Sequence, residues 1–139
     1  NGDLYVGGDF FNISGIQAKR IAKFDGTNWT ALGAGILGSV NAIIEYNGEI
    51  YAGSLAGLHK WTGSIWQPII EGDETSEPYI LDLEVYNGEL YFTGYFTING
   101  NSSNLNIAKW NGSQLVDLNV DLDNGSASTL EVYNNDRVY

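Results

Sequence analysis

"VNAIIEYNGEIYAGS", residues 40–54, decides the fold. Two apolar, β-branched runs flank Asn47-Gly48. Asn-Gly between such runs is the strongest short signal for a β-hairpin, because a type I′ turn needs positive φ at both central positions. The phrase returns as "NGDLYVGG" at 1–8, "NGELYFTG" at 87–94 and "NNDRVY" at 134–139, with spacings of 46, 40 and 47 residues. A second phrase keeps step with it: "IAKFDGTNWTAL" at 21–32, "LHKWTGSIWQPI" at 58–69 and "IAKWNGSQLVDL" at 107–118. Two motifs in one order, three times over, mark an internal repeat.

Each unit reads as four strands. Strand A is "VNAIIEY", "ILDLEVY" or "TLEVY". After the Asn-Gly turn comes strand B, "DLYVGG", "EIYAGS" or "ELYFTG". A connection of variable length leads to strand C, "RIAKF", "LHKW" or "IAKW". A turn at Asp25-Gly26, Thr62-Gly63 or Asn111-Gly112 leads to strand D, "NWTAL", "IWQPI" or "LVDL". Such a meander cannot bury both faces alone, whereas stacking like sheets around an axis does so. Periods of about 40–50 residues built of strands belong to propeller blades. The expectation is an all-β chain forming an arc of a β-propeller, one segment over 1–139. It divides into a partial first blade at 1–36 (strands B–D), a second at 37–72, a third at 73–122 and a partial fourth at 123–139. Propellers take about 4–8 blades. A ring of four such units needs more than 139 residues, so the arc is expected to be completed by further blades of a parent chain or by a second copy. The start on a turn motif, without Met or signal peptide, is what a mature piece of something longer would show.

Composition agrees. Apolar residues make up 43% and charged residues 17%, with eighteen glycines and two prolines. That suits a packed core with many tight turns, and no helical stripe survives three turns. The net charge of −11 argues against a nucleic-acid groove and against binding an anionic membrane surface. No apolar run reaches the roughly 18 residues of a membrane span. The chain has no cysteine, which excludes disulfides, thiol catalysis and thiolate metal sites.

The strand before "NG", the diglycine Gly7-Gly8 and the hairpin carrying Lys60-Trp61 and Trp66 resemble kelch and galactose-oxidase-like propeller repeats. The whole chain carries the resemblance. Its style, "NGxLYxGGxF…IAKWxGxxWxxLG", is similar to propeller segments of large secreted bacterial surface proteins, which implies an extracellular or cell-surface location. The diglycine becomes Gly53-Ser54 and Thr93-Gly94 in later units, and Leu115 stands where Trp29 and Trp66 stand. The copper chemistry of galactose oxidase needs a Tyr–Cys pair and His ligands. With no cysteine and one histidine, that activity is not implied, and the chain is expected not to be an enzyme.

In a meander the A–B and C–D turns share one end, and the B–C and D–A connections share the other. Here the first set is short and the second is long and varied, and loops on a rigid scaffold are the usual place for binding. The candidate ligand-binding residues are Asp9, Phe10, Phe11 and Asn12 after the first strand B. Tyr95, Phe96, Asn99 and Asn101 follow the third, and Asp73, Glu74 and Glu77 come from the acidic connection between. Their aromatic faces and amides suit a glycan or a protein, although the aromatic pairs equally suit packing between blades. The short "SLAG" connection is expected to leave a dip between taller loops.

No cofactor is expected. Seven acidic residues between Glu71 and Glu89, with no basic one, admit Ca²⁺, but without EF-hand spacing a solvated loop is the plainer reading. Glu84 and Glu131 share a strand A position that can face a central channel. His59, the one histidine, lacks the partners of a metal or catalytic site and reads as structural or exposed. Lys23, Lys60 and Lys109 recur beside an aromatic residue, as for a blade-to-blade salt bridge or stack. Tyr5, Tyr51 and Tyr91 are expected to be buried between blades. Asn-X-Ser/Thr at Asn12, Asn28, Asn101, Asn111 and Asn124 is what an Asn-rich chain gives by chance. The main functional expectation is a non-catalytic binding or scaffold module. The alternatives are a fragment of a propeller-type lyase or glycosidase, and a structural or self-assembling repeat fragment.

Overall fold

The computed structural model describes residues 2–71, 77–98, 105–120, 122, 123 and 125–133, with backbone alone at 105 and 106. The described residues are all-β and contain no helix. Strands β1 (Leu4–Gly7), β4 (Ile21–Phe24) and β5 (Trp29–Ala31) form a first antiparallel sheet. Between its first two strands lies a small hairpin of β2 (Asn12–Ile13) and β3 (Ile16–Gln17). The second sheet runs in order through β6 (Val40–Tyr46), β7 (Glu49–Ser54), β8 (Gly57–Trp61) and β9 (Trp66–Glu71). The third does the same with β10 (Tyr79–Tyr86), β11 (Glu89–Phe96), β12 (Leu105–Trp110) and β13 (Leu115–Asp117).

The turns are made by the residues that predicted them. Asn47 and Gly48 have φ of 53° and 78°, and Asn87 and Gly88 have 50° and 76°, the left-handed pair of a type I′ hairpin. At the β4–β5, β8–β9 and β12–β13 turns, Gly26, Gly63 and Gly112 hold φ of 96°, 95° and 98°. The residue before each glycine caps the turn with its side chain. Asp25 Oδ1 accepts from the Thr27 and Asn28 amides at 2.8 Å each, which holds its carboxyl below the usual carboxylate range. Thr62 Oγ1 accepts from the Ile65 amide at 3.2 Å, and Asn111 Oδ1 from the Gln114 amide at 2.9 Å. The β2–β3 hairpin was not anticipated. Ser14 and Gly15, with φ of 47° and 84°, turn the chain between Ile13 and Ile16, and the Ser-Gly pair was its unread signal.

The sheets stack by one contact used twice. Gly7 of β1 sits against Val40 and Ile43 of β6; Gly53 of β7 sits against Ile80 and Leu83 of β10. A Cβ at Gly53 would lie 2.6 Å from Ile80 Cγ2, so the absent side chain sets how closely the sheets approach. Ile21, Leu32, Ile36, Val40 and Ala52 form the core between the first two sheets, with Tyr5, Trp61 and Trp66 packed on it. The Trp66 indole N–H donates to the Leu32 carbonyl at 3.1 Å. A larger core joins the second and third sheets, centred on Tyr51, Leu58, Ile80, Leu90 and Phe92.

Three expectations need correction. Of Tyr5, Tyr51 and Tyr91, only Tyr51 is buried, at 2% exposure; burial pushes its hydroxyl pKa up. The Trp110 indole lies close enough to oppose that rise, but its N–H closes no hydrogen bond. Tyr5 and Tyr91 are half-buried: Tyr5 packs on the core under the second sheet from the end strand of its own sheet, and Tyr91 lies on the outer face of the third sheet. The lysines bridge strands within a sheet, not between sheets. Lys23 pairs with Asp3 at 2.8 Å, and Lys60 with Glu49 and Lys109 with Glu89 at 2.7 Å. Each acid stands two residues before the tyrosine opposite its lysine, the diagonal reach across an antiparallel pair. Residues 129–133, expected as a strand, have no ladder partner among the described residues, and the intended partner, 134–139, lies outside them. Thr129 Oγ1 and the Leu130 amide instead donate to Asp82 Oδ2 of β10, at 2.8 Å each.

Candidate functional site

Strand polarity puts the connections at 8–20, 32–39 and 55–56, with described residues 77, 78, 97, 98 and 118–120, at one end of the stack. The first is held by Arg20, a residue that sequence reasoning passed over. Its backbone has φ of 67°, its amide donates to the Phe10 carbonyl at 2.8 Å, and its carbonyl accepts from Gly8 at 3.1 Å. The guanidinium stands 4.7 Å from the Phe11 ring centroid, and its Nε lies 3.6 Å from Asp9 Oδ1. So Arg20 fixes Asp9 and Phe11 from behind while Phe11 stays 54% exposed. Phe10 is half-buried and Asn12 is exposed on β2.

The tight β7–β8 connection presents Leu55, and the connection before β6 presents Leu37; both are exposed. They are tied together, since the Leu55 amide donates to the Ser39 carbonyl at 3.0 Å and Gly38 lies against Leu55. At the third sheet Tyr79 and Tyr95 are register partners. Their rings stack at 5.6 Å and 17°, each 38% exposed. Tyr95 was an expected site residue; Tyr79, Leu37 and Leu55 were not. The alternation of β10 and β11 pointed to Tyr79 once the two strands were put in register.

Phe96 is a correction. It is 1% exposed and packs on Phe92 at 5.0 Å. Alternation along β11 puts it on the core face with Leu90 and Phe92, opposite Tyr95, so it offers no face to a ligand. Glu77 is exposed. Asp73, Glu74, Asn99 and Asn101 lie outside the described residues, and with them the taller loop on one side of the expected dip. Among the described residues no group of three or more His, Cys, Asp or Glu side chains could hold a metal ion. The acids of that stretch have other work: Asp82 holds Thr129 and Leu130, and Glu89 holds Lys109.

His59 is 8% exposed. Burial depresses its pKa against the opposing pull of Glu71, and its Nδ1 has no hydrogen-bond partner. It shares a side of the second sheet with Ala52, its register partner, and Ala52 packs toward the first sheet. Glu84 and Glu131 lie together at a pocket and not along a channel. They line a pocket of about 270 Å³ with Tyr86, Tyr91, Leu130, Val132 and Tyr133, on the outer face of the third sheet.

Compared with family models, curated proteins and solved structures, the chain matches none.

Proposed function

We propose that this chain is an arc of a kelch-like β-propeller, acting as a non-catalytic binding or scaffold module of an extracellular or cell-surface protein. Its loop end receives a glycan or a protein. What supports the arc is the recurrence of one sheet-to-sheet contact, Gly7 on Val40 and Gly53 on Ile80, one repeat apart. A repeated rigid-body step of this kind builds a propeller.

The observation that carries the binding reading is the distribution of exposed large apolar side chains. Phe11, Leu37, Leu55, Tyr79 and Tyr95 are all exposed at the loop end and come from three sheets. At the opposite end Ile65 is the one such residue within a described turn, where short turns offer little besides backbone. Leu4, Tyr86 and Tyr133 near that end lie on faces of the first and third sheets and not in a turn. Flat aromatic faces with a cation behind one of them suit sugar rings or an apolar peptide segment.

The test is a glycan array and a peptide display screen, run on the chain and on a Phe11→Ala/Tyr95→Ala variant with unchanged circular dichroism. Ligands retained by the chain and lost by the variant support the reading. Ligands retained equally by both place binding elsewhere.

A further inference from the structure

One connection of the stack crosses over the chain's single histidine. Residues 32–39 join β5 to β6 and follow β8 on the way. Gly33 lies against the Trp61 ring and the Ser64 carbonyl, and Gly38 lies against Leu55 and Ala56. The connection thus starts over one end of β8 and leaves past the other. His59 stands between those two points, on the face that Trp61 and Ala52 turn toward the first sheet. That face is closed: His59 is 8% exposed and Ile36, in the middle of the connection, 2%. The other two repeat units place Ala22 and Ala108 at this position, both fully buried. A titratable ring therefore fills a place where the repeat has a methyl group.

The surroundings suit the neutral ring. Its Nδ1 has no hydrogen-bond partner. Burial lowers its pKa, against the pull of Glu71 and of the Gly57 carbonyl. The connection above it carries no titratable side chain. Its register partners are Ala52 of β7 and Pro68 of β9. The facing side of the first sheet brings Tyr5 and Lys23, the lysine held by Asp3. Lys60 and Glu49 pair on the opposite face of the second sheet. Lys19 and Arg20 lie beyond the connection, tied to Ile36. Glu71, the acid that acts on the ring, is itself exposed.

The middle of the connection is held lightly. The Ile36 amide donates to the Lys19 carbonyl at 3.3 Å. Arg20 Nη1 donates to the Ile36 carbonyl and Ser54 Oγ to the Leu37 carbonyl, at 3.4 Å each. All three are longer than the usual 2.9–3.0 Å or so. Gly33 and Gly38, with φ of 60° and 73°, bound the segment with backbone that can turn either way. Ser54 Oγ also reaches the Gly57 carbonyl, at 3.3 Å, so one hydroxyl links the connection to the carbonyl beside His59.

We propose that residues 34–37 form a proton-released strap: when His59 takes up a proton, the strap lifts from β8, water reaches the imidazolium, and Leu37 and the Arg20–Ile36 contact change together at the loop end. A charged ring has two N–H donors to satisfy, and the carbonyls of Ile36 and Leu37 already serve Arg20 and Ser54. Keeping an underpaired charge buried costs more than giving up a few long hydrogen bonds. The sign follows: the closed strap favours the neutral ring, so it stays down above pH 6.5 and opens as pH falls below that value. Because Arg20 stands behind Phe11, opening alters the Phe11 and Leu37 surfaces at once. The strap acts whether or not the loop end binds a glycan or a protein, so failure of either idea leaves the other standing.

The experiment is backbone amide exchange resolved by nuclear magnetic resonance from pH 8 to pH 5, corrected for the intrinsic rate, with the His59 ring followed in the same samples. One histidine in the chain makes that titration free of overlap. Protection of the Ile36 amide should fall by about tenfold or more across the range, within the limit of about tenfold per pH unit set by one proton. Amides of β11 should keep theirs. His59→Gln holds a neutral polar group in place and should make Ile36 protection independent of pH. His59→Ala, with the repeat's own residue, gives the same readout should the glutamine variant not fold. Protection of Ile36 that is unchanged down to pH 5, that falls equally in the variants, or that falls by the same factor as in β11 would each overturn the proposal.

Discussion

The outer faces of the second and third sheets are built from the same repeat positions and differ in what lies over them. Tyr46 and Tyr51 are 3% and 2% exposed beneath the third sheet. Tyr86 and Tyr91 hold the same edge-to-face geometry, and among the described residues it is 130–133 that lie beside them. The local arrangement of a tyrosine pair therefore comes from its own hairpin, while its burial comes from a neighbour. A sequence repeat reports the first and is silent on the second.

The largest effect that can break this comparison is at the tyrosines. Tyr51→Ala should cost about 3–5 kcal/mol, as for other buried aromatics. Tyr91→Ala should cost under about 2 kcal/mol, because its side chain is only partly buried. Urea melts at low protein concentration would measure both. Equal costs would mean that the third sheet is covered in solution.

The next test is at the residue that sets sheet spacing. Gly53→Ala pushes a methyl group into Ile80 and should cost about 1–3 kcal/mol. At the matching position Thr93 is fully buried with its hydroxyl unpaired. Thr93→Val keeps the shape and removes the orphaned group, so it should be neutral or stabilising by up to about 1 kcal/mol. Opposite signs at one repeat position would sharpen the case that contacts, and not local propensity, decide it.

His59 offers a pH test. Its folded pKa lies below 6.5 through burial, so the unfolded chain takes up the proton first. The stability it contributes is complete above that value and is lost as pH falls through 6.5 toward the folded pKa. Melting midpoints from pH 8 to pH 5 should therefore fall. His59→Ala, the residue at the matching positions 22 and 108, should remove that part of the slope whatever it does to absolute stability. An unchanged slope would show that His59 is already solvated.

The smallest effects belong to the lysine pairs. Lys60→Met and Lys109→Met should shift stability only slightly, by similar amounts, and less at high salt, because both ammonium groups remain in reach of water. A large loss in one alone would mark that lysine as part of a contact beyond its own strand pair.

Much of this was legible beforehand because it is local. Asn47-Gly48 and Asn87-Gly88 demanded left-handed turns, Gly26, Gly63 and Gly112 marked three more, and the alternation between them set strand order and all-β class. The candidate site was legible only in outline. Phe11 and Tyr95 lie on the loop end as expected. Phe96, one residue from Tyr95, went to the core because β11 continues through both residues and keeps alternating, which puts Phe96 on the face of Leu90 and Phe92; reading residues 95 and 96 as loop hid that. Arg20 was invisible because its role depends on the path of residues 9–19 around it. Leu37 and Leu55 meet only because two connections converge.

The sequence by itself determined the hairpins, their turns and the order in which strands join, since each rests on dihedral preferences and side-chain alternation within a few residues. Only the tertiary structure decided which of three equivalent tyrosines is buried and that the lysine pairs stay within a sheet. Those outcomes depend on which surfaces exclude water from one another, and that is settled by neighbours more than thirty residues away along the chain.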